Sequence, residues 1–128
     1  MADALLDTTV FIDYYRRHPG AEAVLEAVMS GAITASYSPI TVVELWRGQM
    51  YRHEEIVYEA ALVLMEEAQL TASMAKRTGE WLRPLEDSPR EETVRDALIA
   101  ATASERGEPI STRNVRDSQR FYDNVQTY

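Results

Sequence analysis

Five side chains that could bind a cation are spread along the sequence: Asp7, Glu44, Asp96, Asn114 and Asp117. Each is predicted to lie where a strand is followed by a helix. Because a parallel α/β sheet brings such strand ends to one edge, we expect these side chains to meet in one cleft. Carboxylates that cluster without a lysine or histidine partner are typical ligands of a hard divalent cation.

Each acid also has a purely structural interpretation. Asp7 could cap a helix that begins at Thr8 or Thr9. The spacing of a capping box, a cap residue followed three positions later by an acid, occurs at Thr41 to Glu44, Thr93 to Asp96 and Asn114 to Asp117. For any one of these acids taken alone, helix capping is the favoured interpretation.

Taken together, the acids favour a metal site. Two carboxylates about 5 Å apart repel each other by roughly 3 kcal/mol at an effective dielectric constant of 20. Helix N-termini offset only part of that repulsion. A divalent cation with oxygen ligands, Mg²⁺ or Mn²⁺, offsets the remainder, and its usual chemistry is the activation of water against a phosphodiester.

The composition excludes several other classes of site. The 128 residues contain no cysteine, which rules out disulfides and thiolate zinc sites, and the two histidines, His18 and His53, lie beside polar or turn residues. There is no signal-peptide pattern and no apolar run of about 20 residues that could span a membrane. We therefore expect a single cytoplasmic domain over residues 1–128.

The charge distribution limits how nucleic acid could be bound. The net charge of −8 argues against binding by bulk electrostatic attraction. Lys76 is the only lysine, and the arginines closest to the candidate acids are Arg47, Arg95, Arg113, Arg116 and Arg120. These arginines could line the rim of a phosphate-binding site, or they could form an ordinary solvated face.

The hydrophobic pattern alternates between short apolar segments and amphipathic ones. It predicts strands at 3–7, 33–38, 109–112 and, at the sheet edge, 124–128. It predicts helices at 8–17, 21–30, from 41, 53–68, 72–83, 96–106 and 114–122, with a polar loop at 84–93. This alternation indicates a three-layer α/β/α sandwich with a mostly parallel central sheet.

Three segments resemble the signature blocks of PIN-domain proteins, and most of all the VapC toxins of VapBC toxin–antitoxin systems. They are LLDTTVFID at 5–13, ITVVELWRG at 40–48 and RDALIAATASERGEPISTRNVRDSQRF at 95–121. The resemblance covers nearly the whole chain, in the same order and spacing. The third block is the most specific of the three.

The resemblance implies a Mg²⁺-dependent endoribonuclease, with Mn²⁺ as a possible substitute. Its metal ligands would be Asp7, Asp96 and Glu44, completed by Asp117 or Asn114, between which the sequence does not choose. Thr9 and Thr112 match positions that flank the metal ligands, and Arg113 and Arg116 would position the RNA. The implied partners are RNA, a VapB-like antitoxin and a second copy of the chain, as a homodimer or within a toxin–antitoxin hetero-oligomer.

Two departures from the family pattern concern this site. Thr9 stands where many relatives have asparagine or serine, and Ser118 replaces a common phenylalanine whose packing Phe121 could supply. No principal acid is missing, so the sequence predicts an intact active site. A PIN-like domain that binds RNA or a protein without cleavage is the alternative, and its expected signature is the loss of one of these acids.

Two other enzyme classes are less compatible with the sequence. A phosphatase of the haloacid dehalogenase type requires two aspartates in a D-x-D motif after the first strand, where this chain has Asp7-Thr8-Thr9. A response-regulator receiver domain requires a lysine after a strand, whereas Lys76 lies within a predicted helix.

Overall fold

Four segments predicted as strands and one that was not form a parallel sheet at the centre of the molecule. The computed structural model describes residues 1–48, 50–85 and 90–128. Within these residues the strands are β1 (Ala4–Leu6), β2 (Ala35–Tyr37), β3 (Glu66–Glu67), β4 (Ile110–Ser111) and β5 (Val125–Gln126). Their order is β3-β2-β1-β4-β5, and every neighbouring pair is parallel, which confirms the predicted fold class and the edge position of the last strand.

The helices agree with the predicted segments except at their ends. They are α1 (Thr8–Tyr15), α2 (Pro19–Met29), α3 (Pro39–Trp46), α4 (Arg52–Val63), α5 (Ala72–Leu82), α6 (Glu91–Arg106) and α7 (Val115–Gln119). α2 and α3 both start two residues earlier than predicted, each at a proline. Proline suits the first turn of a helix because that turn leaves its N–H groups unpaired. The side chains of His18 and Ser38 cap these two helices.

β3 was not predicted, and the predicted helix at 53–68 was too long. α4 ends at Val63, and Glu66 and Glu67 pair with Ser36 and Tyr37 of β2. Glutamate favours helices in isolation, so pairing with the open edge of β2 decides the conformation here. The predicted loop at 84–93 is wrong at its C-terminal end, where α6 begins at Glu91, while residues 86–89 lie outside the described residues.

Helices pack on both faces of the sheet and complete the three layers. Leu5 and Leu6 are fully buried, and they join two different apolar clusters because successive strand residues point to opposite faces. On the Leu6 face the cluster includes Val10, Phe11 and Leu25. This division places α1 to α4 on one face and α5 to α7 on the other.

α6 packs against the sheet through a buried central segment. Its buried residues are Ala97, Ile99, Ala100, Ala101, Thr102 and Ala103. α5 packs against it, and Trp81 stacks on Phe121 with ring centroids 6.1 Å apart, so Phe121 supplies packing on this face of the sheet. In the described segments, no helix is both long and apolar enough to cross a membrane.

Candidate functional site

Asp7 follows β1 and is buried at the carboxyl edge of the sheet. It occupies the N-cap position of α1, but its carboxylate forms no capping hydrogen bond. Instead the carboxylate accepts hydrogen bonds from the hydroxyl of Thr112 at 2.8 Å and from that of Thr9 at 3.3 Å. The capping interpretation is therefore wrong for this side chain.

The hydroxyls of Thr9 and Thr112 also order the chain that follows β4. Their oxygens lie 3.3 Å apart. Thr9 accepts a hydrogen bond from the backbone N–H of Arg113 at 3.1 Å, and Thr112 accepts one from that of Asn114 at 3.0 Å. Both threonines thus hold the Asp7 carboxylate in place and link it to the 112–114 turn.

Glu44 lies inside α3 and not in a capping box, because the cap of that helix is Ser38. One carboxylate oxygen accepts a 2.5 Å hydrogen bond from the hydroxyl of Thr8, and the other accepts one from the guanidinium of Arg95. Glu44 therefore joins α1 and α6 to α3.

Asp96 lies in the second turn of α6, which follows α5 and not a strand. The prediction that this acid lies between a strand and a helix is wrong. So is the proposed capping box, because the N-cap of α6 is Arg90. Asp96 is connected to Glu44 of α3 through Arg95, which contacts both carboxylates.

The pKa of the Asp96 carboxyl is shifted by burial and by the charged groups around it. Burial raises the pKa of the carboxyl, contact with Arg95 lowers it, and the charges of Asp7 and Asp117 raise it, with a net upward shift. Two acids from other segments therefore lie close enough to Asp96 to oppose its ionisation. Repulsion of this kind is what a bound cation relieves.

Asn114 and Asp117 lie at the start of α7 and are exposed. Asn114 is the N-cap residue, but its side chain forms no capping hydrogen bond. Asp117, in the first turn, is the one whose charge acts on Asp96. Asn114 carries no charge, so the pKa of Asp96 does not distinguish between these two residues as the fourth member of the cluster.

The acids suit a hard cation by their chemistry, although they do not converge in this arrangement. Among the residues that the structure describes, no three histidine, cysteine or acidic side chains are grouped as metal ligands would be. Arg95 binds both Glu44 and Asp96, and its buried Nε has no hydrogen-bond partner within residues 1–48, 50–85 and 90–128. The carboxylate oxygens are of the type that a hard divalent cation prefers, while in the present arrangement Arg95 supplies the positive charge between Glu44 and Asp96.

The arginines near the acids fall into different environments. Arg113 is half-exposed, and its Nε lies 3.2 Å from the carboxylate of Asp13. Arg116 is exposed on α7 beside Asp117. Arg95 is not on a rim but within the cluster. The other two predicted rim arginines pair elsewhere, Arg47 with Glu91 and Arg120 with the ring of Phe121.

Asp13 and Tyr128 belong to this region and were missed in the sequence. Asp13 is buried and accepts a 2.6 Å hydrogen bond from the hydroxyl of Tyr128. Asp13 could have been identified from the sequence, because it is a single acid within the apolar run VFIDYY. Nothing local marks Tyr128, because its contact spans 115 positions of the chain.

Two grooves meet at Glu44. One, of about 330 Å³, runs between α3 and α6 and is lined by Ile40, Val43 and Leu98. The other, of about 440 Å³, is lined by residues that include Tyr15 and Tyr58 of α1 and α4. Both present apolar surface beside Glu44.

Comparison with known proteins identifies related folds. A family model described as PIN domain matches residues 4–122. No curated protein matches the chain. Among solved structures, a toxin–antitoxin complex from Klebsiella pneumoniae is similar with a TM-score of 0.74 and 26% identity, covering 97% of this chain and 96% of that one.

Two further structures share the fold at lower identity. DNA-bound VapBC from Salmonella typhimurium has a TM-score of 0.75 and 20% identity, covering 100% of this chain and 98% of that one. FitAcB from Neisseria gonorrhoeae has a TM-score of 0.70 and 20% identity, covering 98% and 96%.

Proposed function

Because this chain belongs to the PIN domain family, we propose that it is a single-domain, Mg²⁺-dependent endoribonuclease and the toxin of a VapBC-type toxin–antitoxin pair. The observation that carries the proposal is the position of Asp7. Its buried carboxylate is oriented by two threonine hydroxyls and lies close enough to Asp96 to raise that residue's pKa. A cytoplasmic location is part of the proposal.

The ligands of the cation would be Asp7, Glu44 and Asp96, with Asp117 or Asn114 completing the set and Mn²⁺ able to replace Mg²⁺. When bound, the cation supplies activation of water for attack on a phosphodiester and stabilisation of the leaving oxygen. Asp7 and Asp117 oppose the ionisation of Asp96, so the proximity of these acids is unfavourable without a cation.

The protein's own groups position the acids and the substrate. Thr9 and Thr112 hold one orientation of the Asp7 carboxylate, as hydrogen-bond partners of metal ligands usually do. Arg113 and Arg116 are exposed beside the cluster and would contact the RNA backbone. At a net charge of −8, such local contacts must provide the attraction to phosphate.

An antitoxin is the proposed partner, together with a second copy of this chain in a homodimer or hetero-oligomer. The Klebsiella pneumoniae structure is a toxin–antitoxin complex that matches this chain over nearly its full length. The grooves that meet at Glu44 offer apolar surface for a bound segment, and Val43 is 58% exposed there. A segment in these grooves would cover Glu44 and Arg95 and would hinder access of RNA from that side.

The decisive experiment is cleavage of total cellular RNA by the purified protein, in Mg²⁺ and in EDTA. We expect discrete fragments that require the metal and disappear with Asp7→Asn and with Asp96→Asn. Asp123→Asn is the matched control, because this exposed acid lies outside the cluster and its loss should leave cleavage unchanged.

The alternative makes a different prediction for the same samples. A PIN-like domain that binds RNA or a protein without cleavage would leave the RNA intact in Mg²⁺ and in Mn²⁺, with wild type and variants alike. Intact RNA under all these conditions would refute the nuclease proposal.

A further inference from the structure

Arg95 connects two acids of the candidate site that lie on different helices. Its guanidinium donates one hydrogen bond to Glu44 on α3 and another, of 2.9 Å, to Asp96 on α6. The side chain is 25% exposed, while those of Glu44 and Asp96 are 10% and 14% exposed. One partly buried cation is thus shared by two partly buried anions.

The charge of Arg95 is permanent, but its hydrogen bonding is incomplete. Burial lowers the pKa of the guanidinium, and contact with Glu44 and Asp96 raises it by more, so the net shift is upward. The Nε–H is buried without a partner among the described residues. Buried hydrogen-bond donors are rarely left unpaired. The present contacts of Arg95 therefore do not satisfy all of its N–H donors.

We propose that Arg95 is an internal counter-cation that competes with the divalent metal ion for Glu44 and Asp96. In this scheme, metal binding requires the guanidinium to release at least the Asp96 carboxylate. The proposal rests on the metal site of the proposed function, but it concerns metal affinity and not RNA cleavage. It also accounts for a cluster of acids that is tolerated without metal.

The competition predicts that removing the guanidinium strengthens metal binding. In Arg95→Gln, both carboxylates lose their fixed positive partner, so a divalent cation no longer has to displace it. We expect Mg²⁺ and Mn²⁺ to bind roughly tenfold more tightly, which corresponds to about 1.4 kcal/mol. Without metal, the two acids are uncompensated, so the variant should unfold at a lower temperature and be stabilised more by added metal than wild type is.

Arg47 provides a matched control on the same pair of helices. It connects α3 to α6 by an ion pair with Glu91 at 2.6 Å, and both side chains are largely exposed, at 58% and 80%. Arg47→Gln removes the same unit of charge without touching Glu44 or Asp96. Because exposed charges are screened by solvent and salt, metal affinity should change by less than about twofold in this variant.

The test is isothermal titration of Mg²⁺ and of Mn²⁺ into the full chain, for wild type, Arg95→Gln and Arg47→Gln. Tighter binding by Arg95→Gln alone supports the proposal. Equal or weaker binding by a folded Arg95→Gln overturns it, because Arg95 would then be neutral or helpful to the metal site. Absence of binding by all three proteins overturns it as well.

Arg95→Lys is a second variant, which tests the proposal even if Arg95→Gln does not fold. Lysine keeps the charge but lacks the planar fork that contacts two carboxylates at once, so Arg95→Lys should bind metal with an affinity between wild type and Arg95→Gln. Equal affinity of Arg95→Lys and Arg95→Gln above wild type would still support competition through the fork. Failure of RNA cleavage with the predicted order of metal affinities would refute the nuclease and leave this inference standing.

Discussion

The hydroxyl of Thr112 donates a 2.8 Å hydrogen bond to the carboxylate of Asp7, which lies 105 positions earlier in the chain. β1 and β4 are parallel neighbours with Leu6 beside Ser111, so the residue after each strand faces the other. The sheet therefore places the acid and the group that orients it side by side. The pairing of β1 with β4 thus brings two segments that are distant in sequence into one site.

Replacing Thr112 by valine should lower RNA cleavage without unfolding the protein. The change removes the shorter of the two hydroxyl contacts to Asp7 at nearly constant volume. Loss of a hydrogen bond to a metal ligand typically costs 10- to 100-fold, and we expect a decrease in that range in the cleavage rate at saturating Mg²⁺. Thr78→Val is the control, because its hydroxyl is also buried but binds Met74 O within α5. Equal rates for the two variants would contradict this role of Thr112.

Asp13 should affect RNA binding more than the chemical step. It contacts the guanidinium of Arg113 and accepts a hydrogen bond from Tyr128. In Asp13→Asn the Arg113 side chain loses its charged anchor, so we expect KM for RNA to rise several-fold with little change in kcat. The measurement is steady-state cleavage at several salt concentrations. Tyr128→Phe, which removes only the hydroxyl, should have a smaller effect in the same direction, and a loss confined to kcat would argue against positioning.

Glu108 should contribute strongly to stability at neutral pH. It is fully buried and accepts hydrogen bonds from Arg106 at 2.8 and 3.0 Å, from Ser36 at 2.7 Å and from the N–H of Ala2 at 2.6 Å. Breaking a buried ion pair costs about 3 kcal/mol or more, so Glu108→Gln should lower the free energy of unfolding in urea by about that amount at pH 7. Glu66→Gln, at the exposed end of the same cluster, should cost less than about 1 kcal/mol.

The pH dependence of the Glu108 contribution follows from its pKa. Burial raises the pKa of this carboxyl, but its hydrogen bonds, those from Arg106 above all, lower it by more, so the net shift is below the usual 4.5. A lowered pKa in the folded state means that the stabilisation is complete above about pH 4.5 and is lost as the pH falls through the folded-state pKa. The stability difference between wild type and Glu108→Gln should therefore shrink in acid, and a difference that is constant from pH 7 to pH 3 would contradict this assignment.

Two glycines in helices should respond oppositely to alanine. At Gly20 in α2, a Cβ would lie 2.7 Å from the backbone carbon of Tyr128 and 3.0 Å from its oxygen, which cannot yield like a flexible side chain. Gly20→Ala should therefore destabilise the protein by about 1 to 3 kcal/mol. At Gly79 in α5, a Cβ would meet nothing within 4 Å, so Gly79→Ala should stabilise by about 0.5 to 1 kcal/mol. Thermal and urea unfolding of both variants checks the pair, and a stabilising Gly20→Ala would contradict the contact with Tyr128.

The sequence predicted the fold more completely than it predicted which element carries each site residue. Alternating apolar and amphipathic segments correctly indicated a parallel sheet covered on both faces. The expected strand before Asp96 was wrong, because the acid comes from the second turn of α6. The capping interpretations failed for Asp7 and Glu44 because capping spacing is frequent by chance, whereas the actual partners come from other segments.

The sequence by itself determined those features that depend only on short segments of the chain. These features are the polarity of the side chains, the period of that polarity along the chain, and the presence of the acids Asp7, Glu44, Asp96 and Asp117. The tertiary structure alone decided that Arg95 lies between Glu44 and Asp96, that β3 pairs with β2, and that Tyr128 reaches Asp13. Those contacts join segments far apart in the chain, and they form only where packing on the sheet compensates the entropy of bringing the segments together.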